Sequence, residues 1–390
     1  MPELSPEQQE EPLRERVQAR VNVAAIERNC ARLAAQAAPG AMLCAVVKAD
    51  GYGHGAVQSA RAALAGGATR LAVVSARELA ELRDAGLSDV PVLVMGALTP
   101  EELQQTLADR GEVVVWNEPF LRAVAAAGGG RVHVKYDSGM GRLGTRDPDE
   151  ATRVLQAAEV MPGVEPVGAM THFATADELD DGGFFAEQLS AFTAWAGRVK
   201  EGRPGLIVHA ANSAALLREA GAHFDMVRCG IAIYGMDPFG VDPAARGLEP
   251  ALELISYVAE VKLCRAGESS GYGRRFVAEH DTWLAVIPVG YGDGWRRALS
   301  NNAEVLIGGR RHPLVGTVSM DSVTADLGPD AGREALGARA VLIGIQAGER
   351  ITAEEVAGRL DTINYEITCG LTQRVPRVYH RDGTNTGEGP

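Results

Sequence analysis

Residues 42–55 read MLCAVVKADGYGHG. Six apolar residues lead to a lysine, and the chain then turns through Gly51, Gly53 and Gly55. A short apolar run closed by glycine is the pattern of a strand buried on both faces. Seven further runs follow, at 71–75, 92–95, 112–116, 132–136, 167–170, 206–209 and 226–228. Between them lie segments such as 76–85 and 119–127, whose apolar residues recur at helical spacing. Eight β–α alternations over residues 17–250 predict an α/β fold, a (β/α)8 TIM-like barrel. The alternative is a doubly wound open sheet. Its first turn would read GxGxxG, whereas this one reads KADGYGHG.

Beyond residue 250 the rhythm changes. Runs at 255–261, 283–289, 303–306, 315–327 and 340–343 read as strands, separated by Gly, Asp, Asn and Pro, and helical signals are sparse. A C-terminal mainly-β domain, a barrel or sandwich, is expected over 251–380. Residues 1–16 and 381–390 are polar and read as a disordered and a flexible tail. Gly128–Gly130 precedes the fifth predicted strand and reads as a helix stop at the non-catalytic rim.

A length of 390 residues accommodates two domains, and 46 % hydrophobic content supplies a sizeable core. The net charge of −13 argues against partners held through phosphates, whether nucleic acid or an anionic membrane. No apolar run reaches the ~20 residues of a membrane helix, and residues 1–16 lack the pattern of a signal peptide. Five widely spaced cysteines form neither a disulfide framework nor a metal site. Reduced thiols and the lack of a signal predict a cytoplasmic protein.

In such a barrel, chemistry gathers where strands end at the C-terminal face. Lys48 ends the first strand. Met140 and Arg142 follow the fifth, His172 ends the sixth, and the seventh runs into His209, Asn212 and Ser213. Arg228 and Gly230 close the eighth. Each has a bland reading alone: a lysine reaching water, a satisfied core histidine, an arginine paired with a structural carboxylate. Their shared rim favours a site. Lys48 leaves an apolar strand, and a desolvated amine suits Schiff-base chemistry. Tyr52, Asn212-Ser213 and Gly230-Ile231 offer hydroxyls and backbone N–H groups for a phosphate. An amine at one wall and a phosphate cradle at the other describe a pyridoxal 5'-phosphate (PLP) site.

The chain also resembles the alanine racemase family. The matching segments are AVVKADGYGHGA (45–56), HVKYDSGMGRLG (133–144), MTHFATAD (170–177), HAANSAA (209–215) and VRCGIAIYG (227–235). SSGYGRRF (269–276), PVGYGDGW (288–295), GTVSMD (316–321), NYEITCG (364–370) and RVPRVY (374–379) continue the series. The resemblance implies a PLP-dependent racemase of L- and D-alanine, a homodimer with shared sites, supplying D-alanine for peptidoglycan. It implies that Lys48 carries the cofactor and is one catalytic base, and that Tyr272 from the partner is the other. Tyr52, Ser213, Gly230 and Ile231 would hold the phosphate, with Asn212 beside them. Arg228 would face the pyridine nitrogen, and His172 would stand beside the tyrosine. Arg142 and the partner's Met320 would bind the substrate carboxylate. Lys135, subject to carbamylation, would hold Arg142, with Tyr291 and Asp321 in support; no metal is implied.

A phenol titrating near ~10 needs a neighbouring cation, and a charged His172 backed by Arg228 is expected to supply it. Two positions depart from the family pattern, Gln373 before RVPR and Thr317 before VSMD. A pocket opened there would admit serine as well, since one methylene is discriminated by only ~1–3 kcal/mol. A PLP decarboxylase of basic amino acids is a weaker reading, because the glycine-rich loop lies at the wrong rim. A non-enzymatic PLP carrier, a lone barrel, leaves residues 251–380 without a role.

Overall fold

The computed structural model describes residue 13 and residues 15–386. Two compact units divide the chain, Val23–Ala251 and the remainder, in which β1 (Val17–Asn22) joins the residues from Leu252 onward. Most of the predicted leading tail lies outside the described residues.

The first unit is a closed barrel of eight parallel strands: β2 (Met42–Val46), β3 (Arg70–Val73), β4 (Val92–Val94), β5 (Glu112–Val115), β6 (Gly130–Lys135), β7 (Val164–Met170), β8 (Ile207–His209) and β9 (Met226–Cys229). Closure comes from β9 pairing with β2, in a register that sets Met42 beside Met226 and Cys44 beside Arg228. The strands are short and buried on both faces, Leu71, Ala72, Val73, Val113 and Val115 being inaccessible. That is why they read as unbroken apolar runs. The helices between them start on side-chain caps. Ser75 caps Ala76–Asp84, Thr99 caps Pro100–Ala108, Asn117 caps Glu118–Ala126 and Asp147 caps Pro148–Val160. Gly128 and Gly129 end the third of these with positive φ, Gly129 N–H donating to Val124 O at 2.9 Å.

The second unit is mainly β. Its remaining strands are β10 (Leu252–Tyr257), β11 (Glu260–Cys264), β12 (Ser269–Ser270), β13 (Phe276–Val277), β14 (Thr282–Ile287), β15 (Glu304–Ile307), β16 (Arg310–Val315), β17 (Val323–Gly328), β18 (Arg339–Gln346), β19 (Glu349–Ile351), β20 (Arg377–Arg381) and β21 (Thr384–Asn385). One hydrogen-bonded path runs β11-β14-β17-β16-β15-β18-β10-β1-β20-β21, with β19 on β18.

The fold class read from the sequence holds, and several details are corrected. Residues 17–22, expected in the barrel, form β1 and pair antiparallel with β10 and parallel with β20. Their core-facing valines and alanine fit any sheet, so composition did not place them. Arg16, expected in the loose tail, is anchored by an ion pair with the buried Asp293 and by a 2.8 Å bond to Pro288 O. Residues 381–385, expected to be flexible, complete β20 and its hairpin with β21. The run 315–327 is two strands parted by a loop that starts at Gly316 (φ 78°), and 255–261 is split between β10 and β11. Helices Ala353–Arg359 and Asn364–Cys369 stand where few helical signals were read.

Candidate active site

Lys48 stands at the C-terminal end of β2 and opens an unusual turn. Ala49 (φ 51°, ψ 52°), Asp50 (φ 53°, ψ 49°) and Gly51 (φ 58°, ψ 43°) are all left-handed, as is Tyr52 at φ 54°. Left-handed helical backbone costs roughly 1–2 kcal/mol per non-glycine residue, so the surroundings must impose it. Gly53 N–H closes the turn on Ala49 O at 3.0 Å, Gly55 N–H on Asp50 O at 2.8 Å, and Asp50 Oδ1 accepts from Ala56 N–H at 3.1 Å. The turn drives Tyr52 inward, where its ring lies 5.1 Å from that of Tyr234.

The Tyr52 hydroxyl lies over the Gly230 backbone: a Cβ at position 230 would run into it. Ser213 Oγ accepts from Gly230 N–H at 3.0 Å and from Ala232 N–H at 3.4 Å. Asn212 Oδ1 caps the helix Ser213–Arg218 through Ala215 N–H at 2.9 Å. Two hydroxyls, a glycine without a side chain and the start of the turn at Ile231 form a small polar cradle. This is the wall predicted to take a phosphate, and its dimensions depend on residue 230 having no Cβ.

Arg228 is buried, and no carboxylate lies within ion-pair reach among the described residues. Its Nη2 donates to Thr171 O at 2.9 Å, Ala210 O at 3.0 Å and His172 Nδ1 at 3.2 Å, and its Nη1 to His209 Nδ1 at 2.8 Å. Burial lowers the guanidinium to about 10, which leaves it protonated at neutral pH. The expectation of a cationic His172 is overturned. Burial and the charges of Arg228, Arg142, Lys135 and Lys48 hold His172 well below the ordinary imidazole range. It is neutral, accepts at Nδ1 and therefore carries its proton on Nε2, so the cation at this wall is Arg228 itself.

Behind Arg228 a polar line crosses the barrel interior. His209 Nε2 meets His133 Nδ1 at 2.8 Å, His133 Nε2 meets Glu112 Oε2 at 2.9 Å, and Arg70 pairs with the same carboxylate. Burial, with help from Arg228, keeps His209 neutral; burial likewise lowers His133. With both rings neutral the donors run one way, from Arg228 through His209 and His133 to the Glu112 carboxylate. Burial works to raise Glu112, but bonds from His133 and Arg70 outweigh it and hold the group at about 2.

Lys135 is buried at the end of β6, and burial plus the charges of Arg142 and Arg228 lower its amine to about 8. Arg142 follows on a loop organised by the buried Asp137, whose carboxylate accepts from Gly139 N–H at 3.1 Å, Gly141 N–H at 2.8 Å and Arg142 N–H at 3.2 Å. Asp137, Glu112 and His133 were not among the predicted site residues. Their signal was present: Glu112 opens the run at 112–116, His133 interrupts the run at 132–136, and Asp137 follows it directly.

The remaining predicted residues belong to the β unit. Tyr272 is 72 % exposed, on a turn flanked by Gly271 (φ 77°) and Gly273 (φ 73°), and its carbonyl accepts from Thr317 Oγ1 at 2.7 Å. Met320 is 50 % exposed, and its carbonyl accepts from Gly292 N–H at 2.9 Å, while Tyr291 N–H donates to Ser319 O at 3.0 Å. Asp321 pairs with Arg374 at 2.5 Å. Tyr291, Met320 and Asp321 thus share one loop cluster, with large side chains turned to solvent.

A parallel barrel whose C-terminal rim joins a lysine, a hydroxyl-and-amide cradle and a buried arginine without an acid defines a class: barrel enzymes that hold a phosphorylated cofactor beside an amine. The model for the alanine racemase N-terminal domain matches residues 21–238, and that for the alanine racemase C-terminal domain matches 251–379. The chain belongs to the alanine racemase family, whose members depend on PLP, and alanine racemase activity is its function. It is 38 % identical to alanine racemase 1 of Bacillus subtilis over 374 residues, 94 % of this chain and 93 % of that relative. Identity to the alanine racemase of Symbiobacterium thermophilum is 43 % over 343 residues, 86 % and 90 % of the two chains. The crystal structure of alanine racemase from E. faecalis matches with a TM-score of 0.88 at 35 % identity, covering 94 % of this chain and 98 % of that one. That of alanine racemase from Bacillus anthracis with bound L-Ala-P matches at 0.87 and 36 %, covering 96 % and 98 %.

Proposed function

We propose that this racemase works as a homodimer with PLP on Lys48, and that Tyr272 of a second copy completes each site. The carrying observation is the rim itself: Lys48 on its left-handed turn, the Tyr52–Ser213–Gly230 cradle, and Arg228 buried among acceptors. The residues fit the cofactor, since the cradle offers donors and no Cβ where a phosphate needs room. When bound, PLP withdraws electrons from the Cα of a linked amino acid and so acidifies its proton. Lys48 moves that proton on one face and Tyr272 on the other, general acid–base catalysis by two positioned groups. Arg142 and Met320 hold the carboxylate, and neutral His172 offers its Nε2 proton to the tyrosine oxygen as a hydrogen bond. A Lys135 amine near 8 is partly unprotonated at neutral pH, the form that adds carbon dioxide, and the resulting anion would be balanced by Arg142 and Arg228. The exposure of Tyr272, Tyr291 and Met320 is consistent with a covering partner.

No disulfide joins the described cysteines, and no helix among the described residues is long and apolar enough to cross a membrane. Both support a cytoplasmic setting, where D-alanine would feed peptidoglycan. Gln373, in the loop before β20, is exposed and Thr317 is buried, and serine as a second substrate rests on these two departures alone.

Mixing Lys48→Ala chains with Tyr272→Phe chains tests the shared site. Each variant alone is expected to be inactive. Random reassociation leaves one intact site in half of the dimers, so about a quarter of parental activity should return. If the mixture stays as inactive as its components, the two bases do not come from different copies.

A further inference from the structure

We propose that Glu78 is a positioning residue that clasps the left-handed turn carrying Lys48 and Tyr52, and so controls how firmly PLP is held. The inference rests on the reading of Lys48 as the cofactor lysine. Four consecutive left-handed residues, Ala49 to Tyr52, persist only under external constraint. Glu78 lies in the first turn of the helix that follows β3, Ala76–Asp84. Its Oε1 reaches back to accept from Ala49 N–H at 2.7 Å, the amide next to Lys48. Its Oε2 accepts from Val74 N–H at 2.8 Å and Ser75 N–H at 3.3 Å, while Glu78 N–H bonds Ser75 Oγ at 3.3 Å. One carboxylate therefore caps its own helix and ties the end of β3 to the turn after β2. Ionised acceptors make the stronger hydrogen bonds, and this one satisfies an amide at the point where the chain leaves the barrel strand. Release of that amide lets Ala49 and Asp50 relax towards right-handed backbone. The lysine before them and the phenol after them would then move apart, one at each end of the cofactor.

The chain contains its own control. Glu102 builds the same box with Thr99, at 3.0 and 3.2 Å, on helix Pro100–Ala108, and among the described residues it clasps no neighbouring turn. Holoenzymes of Glu78→Ala, Glu78→Gln and Glu102→Ala are compared with the parent. Each is scored for the rate of PLP release into a trap, for the PLP concentration that half-saturates the apoenzyme, and for apoenzyme Tm. Both alanine variants lose a helix cap and should show similar falls in Tm. Only Glu78→Ala should release PLP about tenfold faster and need about tenfold more for half-saturation, the effect of losing one charge-assisted bond. Glu102→Ala should stay within about twofold of the parent. Glu78→Gln, which keeps the size and one acceptor oxygen, should fall between them and serves if the alanine variant does not fold. Cofactor retention in the Glu78 variants equal to that of Glu102→Ala overturns the proposal. Borohydride fixation of PLP in Lys48→Ala separates the two readings. PLP fixed on another lysine overturns the reading of Lys48, and its absence there beside a normal Glu78→Ala overturns the clasp alone.

Discussion

At the scale of single residues, Arg228 would set the electronic character of the proposed site. An arginine stays protonated and does not readily hand its proton to a ring nitrogen. Its partners here are four acceptors on neutral groups, two carbonyls and two imidazoles, with no acid among the described residues to weaken its charge. On the proposed reading, a pyridine nitrogen facing it would stay largely unprotonated, which would limit electron withdrawal and disfavour transamination. Arg228→Glu is therefore expected to raise transamination relative to racemisation, read as conversion of bound PLP to its amine form per turnover. An unchanged ratio would remove this role. His172 shows where residue-level reading stops. Its position at a strand end was legible, yet its neutrality follows from burial, and then from four cations that the sequence scatters between residues 48 and 228. No local window contains that information.

Among the elements, the turn after β2 and the start of the segment after β9 form one device. Tyr52 is delivered by a left-handed turn, and it lands where Gly230 leaves room. Gly230→Ala should weaken PLP binding by about tenfold or more, because a methyl there must displace the phenol that the turn delivers. Titration of apoenzyme with PLP measures it, and unaltered binding would show that the cradle is not the phosphate site. The β–α alternation itself was plain, since two-face burial makes every barrel strand an apolar run. The left-handed turn was not, because Ala49 and Tyr52 carry no preference for it; the clasp at Glu78 and the closing bonds impose it.

For the molecule as a whole, stability against acid is tied to the line of buried groups inside the barrel. Glu112 is held at about 2 in the fold, against ~4.3 for an unfolded glutamate. The fold thus binds fewer protons than the unfolded chain in that range. The stabilisation is complete above about pH 4.5 and disappears as pH falls through the folded value near 2. Glu112→Gln should cost about 3–5 kcal/mol at neutral pH, because Arg70 is left buried without its carboxylate. Below pH 4 the gap between parent and variant should narrow. Urea unfolding at pH 7 and pH 3 tests this, and a difference independent of pH would show that the charge of Glu112 plays no part.

The sequence by itself determined the barrel, the mainly-β character of the remainder and the rim residues from Lys48 to Arg228. Periodicity reports burial, and strand ends are local features of the chain. Only the tertiary structure placed β1 in the far sheet, made His172 neutral, joined Glu112 to Arg228 through two imidazoles and set Glu78 against Ala49. The physical reason is common to all four. Pairing partners, desolvation and the field of distant charges depend on which residues meet in space, and no stretch of chain encodes its own neighbours.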